Sequence, residues 1–260
     1  MSESKETDMK VSRTIYIYWP VALFLSTAIV AWFYDPGLMD SMLPFSWDPS
    51  RVVASLTSPV FLFFFGLSVA GVVFVRRRWK NGSGFSDTDK MATLWFLLNA
   101  TWFHTGCDIM SGLFGVMPNL TESYIALNDV HSLPMHDPGR VYYDTIYWLE
   151  VFVEAPLALY VTALYLRQAK VRPVVESFLN GLYIAGTVAY YLPNIILGHS
   201  PHVLMSNVDR LIASGWIVVS VALTIRAARR LRSECDVDSG IRRPASFQDR
   251  VARGLDGLCV

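Results

Sequence analysis

Charge is scarce in this 260-residue chain, with 17% of residues charged against 53% hydrophobic. The 22 Lys and Arg balance the 22 Asp and Glu, and a zero formal net charge argues against a nucleic-acid partner. Cysteine is scarce too. Cys107 falls within an apolar run while Cys235 and Cys259 lie in the polar tail, so no disulfide framework is expected. A Gly-rich phosphate loop, CxxC, HExxH and GxSxG are all missing. Nucleotide, zinc and serine-hydrolase chemistry therefore lack a motif, and no cofactor is expected.

What the chain has is hydrocarbon. Apolar runs cover roughly 14–34, 53–75, 91–117, 143–166, 174–198 and 207–225, each near or above the ~20 residues a helix needs to cross a bilayer. The reading is all-α: a polytopic integral membrane helical bundle with six transmembrane helices. It divides into a cytosolic N-terminal segment (1–13), two helices with a basic loop (14–90), a four-helix core (91–226) and a flexible basic tail (227–260). The first run lacks a small-residue cleavage site, so it reads as a retained span. All Lys and Arg except Arg51, Arg140 and Arg210 fall in alternate loops and the two termini, which places both termini in the cytosol and loops 35–52, 118–142 and 199–206 on the lumenal side. A glycosylation sequon, Asn119-Leu120-Thr121, lies on that side.

Four ionisable residues interrupt the apolar runs: His104 and Asp108 in the third, Glu150 and Glu154 in the fourth. A charge in hydrocarbon is costly, so such residues are by default a functional-site hypothesis. Each pair has i, i+4 spacing and shares a helix face. Counting from the lumenal ends at ~1.5 Å per residue puts Asp108 and Glu150 in one layer and His104 and Glu154 in a deeper one. If the faces meet, Asp108 stands opposite Glu150, and His104 opposite Glu154. Acids crowded together away from water can keep a proton near neutrality while a neighbour acts as base, so proton transfer is the chemistry on offer. A metal site and a structural hydrogen-bonded knot are the competing uses; no metal is expected, since the Glu-x-x-His pattern of di-iron bundles is missing. Rings surround the acids, and Trp or Tyr faces stabilise a desolvated cation. Trp102, Tyr147, Tyr183, Tyr190 and Trp216, with Thr187, Asn194 and Glu154, are the expected substrate-lining residues.

Pro156, Leu166-Arg167-Gln168 and Gly186 through Leu192 follow in order along the apolar runs, with His104 through Asp108 upstream and Asp137, Arg140 and Asp144 between. In these residues the chain, from about Thr93 to Leu223, resembles the emopamil-binding protein group of the EXPERA superfamily, which includes the sterol Δ8–Δ7 isomerase and the sigma-2-type sterol-binding receptor. His104 through Asp108 stands at the place of the isomerase's His-x-x-x-Glu, and Asp137, Arg140 and Asp144 resemble an acidic lumenal segment. The resemblance implies an emopamil-binding-protein-like (EBP-like) core: a bundle around a sterol-sized cavity open to membrane, where an acid protonates a double bond and a second group removes a neighbouring proton. The acids differ from the isomerase's. Asp108 stands for its first Glu, Tyr147 for its second, Asn194 for a third and Ala213 for an Asn. Glu150 sits as in the receptor branch, and Glu154 has no family counterpart. The added first helix is not expected to bear on chemistry.

The expected function is an integral membrane isomerase or cyclase, in the endoplasmic reticulum, acting on a sterol, triterpenoid or meroterpenoid. Asp108 would donate the proton, His104 tune or relay it, and Glu150 act as base. The alternative is a non-catalytic sterol- or lipid-binding protein like the receptor branch. Expected partners are the lipid substrate and membrane lipid; a homodimer is compatible with the sequence.

Overall fold

A computed structural model of the chain describes residues 2–38, 45–82, 84–127, 129–134, 136–197 and 203–238. Side chains are described for these residues except 2–10, 36, 126, 127, 129, 193–195, 197, 203–212 and 234–238. The described residues form helices and connecting turns, with no strand among them: α1 (Ser2–Phe33), α2 (Pro49–Thr57), α3 (Pro59–Asn81), α4 (Asp87–Leu98), α5 (Leu120–Leu127), α6 (Pro138–Leu149), α7 (Ala155–Leu166), α8 (Arg172–Leu197) and α9 (Val203–Asp238). Two π-helical stretches interrupt the α winding. Asn99–Leu113, here π1, continues α4, and Glu150–Glu154, here π2, joins α6 to α7.

Among the described residues, three helices are long and apolar enough to cross a membrane: Val11–Phe33, Pro59–Asn81 and Pro138–Leu166. Much of their surface faces outward, with Phe63, Phe74 and Phe152 among the exposed rings. A wide apolar exterior of this kind suits a hydrocarbon surrounding, not water. The central rod is different. Every residue from Met91 to His104 is buried, because α4 and π1 are wrapped by α1, α3 and α7, while α8 and α9 pair with each other alongside.

Local chemistry sets the element ends. Pro49, Pro59 and Pro138 open their helices, where a missing N–H costs nothing. Asp48, Ser58 and Asp137 cap those starts through side-chain oxygens, and the expected run 53–75 is accordingly broken at Ser58-Pro59. Ser86 and Asp89 form a reciprocal capping box on α4. Pro156 has no N–H and its ring opposes the carbonyl four residues back; π2 immediately precedes it, and Ala155 N bonds Glu150 O across the wider turn. In π1, Thr105 Oγ1 donates to Ala100 O at 2.9 Å and Thr101 O at 3.0 Å, a side-chain bond that competes with regular α winding.

Two expectations change here. The lumenal loop expected over 118–142 is largely helical: α5, a 3-10 turn at Asp129–Ser132 and the start of α6 fold over the end of π1. It lacks a long apolar run because α5 and the 3-10 turn are short. The first part of the flexible tail expected over 227–260 instead continues α9 to Asp238, and residues 239–260 lie outside the described ones.

Candidate functional site

The two π stretches are the segments that carry the four ionisable residues: His104 and Asp108 on π1, Glu150 and Glu154 on π2. In an i+5-bonded winding, residues four apart stand nearly above one another, and such turns recur at functional sites. The two faces meet as the spacing predicts. His104 is the hub. Its Nδ1 lies 3.3 Å from Asp108 Oδ2 and 4.0 Å from Glu150 Oε2, and its Nε2 lies 3.7 Å from Glu154 Oε2. One ligand atom each from His104, Asp108 and Glu150 falls within 4.8 Å of the others, so these three could also hold a metal ion.

Satisfaction of this cluster is incomplete. His104 Nε2, Glu150 Oε2 and Glu154 Oε1 are buried without a hydrogen-bond partner, although buried polar groups are ordinarily paired. Asp108 is the anchored member, since Tyr124 Oη donates to its Oδ1 at 2.5 Å. The residues that carry these atoms also line a partly open cavity of about 210 Å³. Its walls include His104, Asp108, Glu150 and Glu154 on one side, with Phe103, Tyr124, Tyr147, Tyr183, Tyr190 and Trp216 among the rings. Gly186 also lines it, and a Cβ there would stand 3.4 Å from Glu154 Oε1.

Most of the residues singled out from the sequence come together. Tyr147, Tyr183, Thr187, Tyr190 and Trp216 all line the cavity beside the four ionisable residues. The Tyr183 ring lies tilted beside His104 with ring centres 5.1 Å apart, and its hydroxyl is buried without a hydrogen-bond partner. Trp216 is held in place by Nε1 donating to Asn99 Oδ1 at 3.0 Å and by Trp95 and Phe103 packed on its ring. Trp102 does not reach the cavity. It lies two residues from His104, on the far side of π1, inside a nest of Phe24, Phe61 and Phe65. The side chain of Asn194 lies outside the described residues.

The first helix, expected to be irrelevant to chemistry, supplies Leu23, Thr27 and Val30 to the wall. It comes close because Thr27 Oγ1 accepts from Trp102 Nε1 at 2.6 Å and because α1 packs along α4.

Two residues escaped the sequence reading altogether. Tyr124, on α5, lines the cavity and holds Asp108. His131, in the 3-10 turn, has Nε2 2.9 Å from Tyr190 Oη and 3.1 Å from Tyr147 Oη. Arg140 secures this cap. Its guanidinium donates to the carbonyls of His131 at 3.0 Å, Leu133 at 2.6 Å and Leu113 at 2.7 Å, closing the open carbonyls where π1 ends. Burial, with the Arg140 charge adding to it, pushes the His131 imidazole down to about 3, so it is neutral. Gly112 permits the tightest contact of the region: a Cβ there would meet the Tyr147 ring at 2.8 Å. The sequon does not project freely, since Asn119 Nδ2 donates to Arg51 O at 2.9 Å.

Chemically, the arrangement offers one imidazole set among three carboxylates and a ring-lined space beside them. No protein-family model matches the chain, and no curated protein matches it.

Proposed function

We propose that the protein is an integral membrane enzyme, an isomerase or cyclase, that adds a proton to a sterol, triterpenoid or meroterpenoid and removes another from the resulting cation. The convergence of His104, Asp108, Glu150 and Glu154 on one aromatic-walled cavity carries this reading. Asp108 gives its proton to an alkene carbon or an epoxide oxygen. Carbocation charge is then stabilised by the carboxylates and by the faces of Tyr147, Tyr183 and Trp216. Glu150 takes a proton from a neighbouring carbon, so the substrate ends neutral. His104 Nδ1, facing both Asp108 and Glu150, returns the proton from Glu150 to Asp108 and resets the pair. Glu154 faces the other ring nitrogen and steadies an imidazolium during that transfer.

The reading includes six crossings around a core resembling the emopamil-binding protein group, both termini in the cytosol and residence in the endoplasmic reticulum. The apolar exterior and the asymmetry of Lys and Arg among the loops support it.

The test is incubation of membranes bearing the protein with sterol and terpenoid candidates in deuterated water. Solvent-derived deuterium on a product carbon supports proton-transfer catalysis. Saturable lipid binding without any label would replace it with the non-catalytic lipid-binding reading, which the same apolar walls would serve.

A further inference from the structure

Tyr147 and Tyr190 line the cavity, and His131 contacts both of their phenol oxygens. Here the protonation of one ring decides what two phenols can do. His131 is buried and neutral, so it carries a single N–H. Its Nδ1 is buried with no partner, and an N–H placed there would be an orphaned donor, the rarer and costlier kind of unsatisfied group. The proton therefore belongs on Nε2, which points at both phenol oxygens, Tyr190 at 2.9 Å and Tyr147 at 3.1 Å. A phenol oxygen that accepts from Nε2–H must aim its own O–H elsewhere.

For Tyr147 the described alternatives are poor. Tyr190 Oη lies 3.4 Å away, beyond the usual range of an O–H···O bond, while the ring is fixed by Gly112 on one side and by stacking on His131 on the other. The third phenol of the region is already committed, because Tyr124 donates to Asp108. A directed donor with no good protein acceptor gains most from an acceptor brought by the ligand.

We propose that Tyr147, oriented by His131 and flanked by Tyr190, is a binding subsite for an oxygen atom of the lipid: a carbonyl, hydroxyl or epoxide oxygen. This rests on the proton-transfer reading and narrows it to oxygenated lipids. The Tyr124 and His131 rings lie 5.7 Å apart and Tyr124 bonds Asp108, so the bound oxygen lies next to the acid and not at a remote end of the molecule. His131 is a positioning residue in this scheme.

Equilibrium binding to the full chain in lipid nanodiscs tests it, with two labelled matched pairs: squalene epoxide against squalene, and cholesterol against its deoxy hydrocarbon. The oxygenated member of at least one pair should bind about tenfold tighter, the scale of one net hydrogen bond in a dry site. Tyr147→Phe and His131→Leu should bring that pair to parity, whereas His131→Gln, whose amide can still donate to the phenols, should keep part of the preference. No preference in either pair with the wild type overturns the proposal, including the case in which neither pair binds, as does a preference that survives Tyr147→Phe. The wild-type comparison stands even where a variant fails to fold. Deuterium incorporation, read separately, tells the two ideas apart. Label without oxygen preference ends the subsite alone, and preference without label ends the proton-transfer reading alone.

Discussion

Buried charge occurs at both ends of the central rod, and the two clusters are built on opposite plans. At the basic end, Asp89 is met by Arg172 at 3.2 Å and Arg226 at 2.5 Å. Glu176 accepts from Tyr165 Oη at 2.7 Å, and Arg172 lies 4.2 Å over the Tyr165 ring. Two acids face two guanidiniums, and the group ties α4, α7, α8 and α9 together. Beside the cavity, three carboxylates share a single imidazole, and three of the polar atoms have no hydrogen-bond partner, against one, Arg172 Nε, at the basic end. Burial of charge is common to both clusters, so burial alone does not mark a site. What distinguishes the second cluster is its deficit of positive charge next to empty space.

The sharpest way to break this contrast is to neutralise one acid in each cluster. Asp108→Asn and Glu150→Gln should each lower turnover by about 10²–10⁴, the usual worth of a general acid or base, measured as deuterium incorporation per unit of folded protein. Their thermal midpoints should move little. At the basic end the order is reversed. Arg172→Leu leaves Asp89 and Glu176 under-compensated and should cost ~3–5 kcal/mol of stability, seen as a large drop in thermal midpoint, while the protein that remains folded turns over normally. Equal losses of stability in both clusters would erase the distinction.

Smaller effects refine it. Gly112→Ala should press the Tyr147 ring out of place, at ~1–3 kcal/mol for overpacking, and should lower affinity for oxygenated lipid more than for hydrocarbon. Stability should also fall with acid. Because the His131 ring is held neutral down to about 3, the unfolded chain binds one more proton than the folded chain between pH 6.5 and that value. Stability is therefore full above the ordinary histidine range and declines as pH drops through it, by at most ~1.4 kcal/mol per pH unit. His131→Gln should flatten this slope in melts taken from pH 7.5 to 5. The least change is expected from a chelator. Turnover should persist after dialysis against EDTA, and its loss would reassign His104, Asp108 and Glu150 as metal ligands.

Much of this contrast can be read in the sequence, because hydrocarbon-length runs announce helices and an acid inside one is conspicuous. The two i, i+4 pairs were therefore visible, and so was their meeting, since consecutive spans run antiparallel. Trp102 could have been set aside by the same counting: two residues from His104 is about half a turn in any helix, and its ring points to α1 and α3. Tyr124 and His131 carry no such signal. They sit in a polar stretch without periodicity, and their place at the cavity depends on α5 and the 3-10 turn folding back over π1, held by Arg140. The part played by α1 was hidden for a similar reason, as Leu23, Thr27 and Val30 are ordinary membrane residues until α4 packs against them.

The fifteen-residue π1 stretch gives the centre an unusual tolerance of length. Excising a single residue between Asn99 and Phe103 would let one wide turn relax to the tighter winding and still close a full circle, so the helix beyond would stay in phase. The same excision from a regular α-helix would swing everything beyond it by about 100° and point the imidazole into lipid or into Trp102's nest. A lineage could therefore drop one codon here and still hold His104 and Asp108 toward the same space.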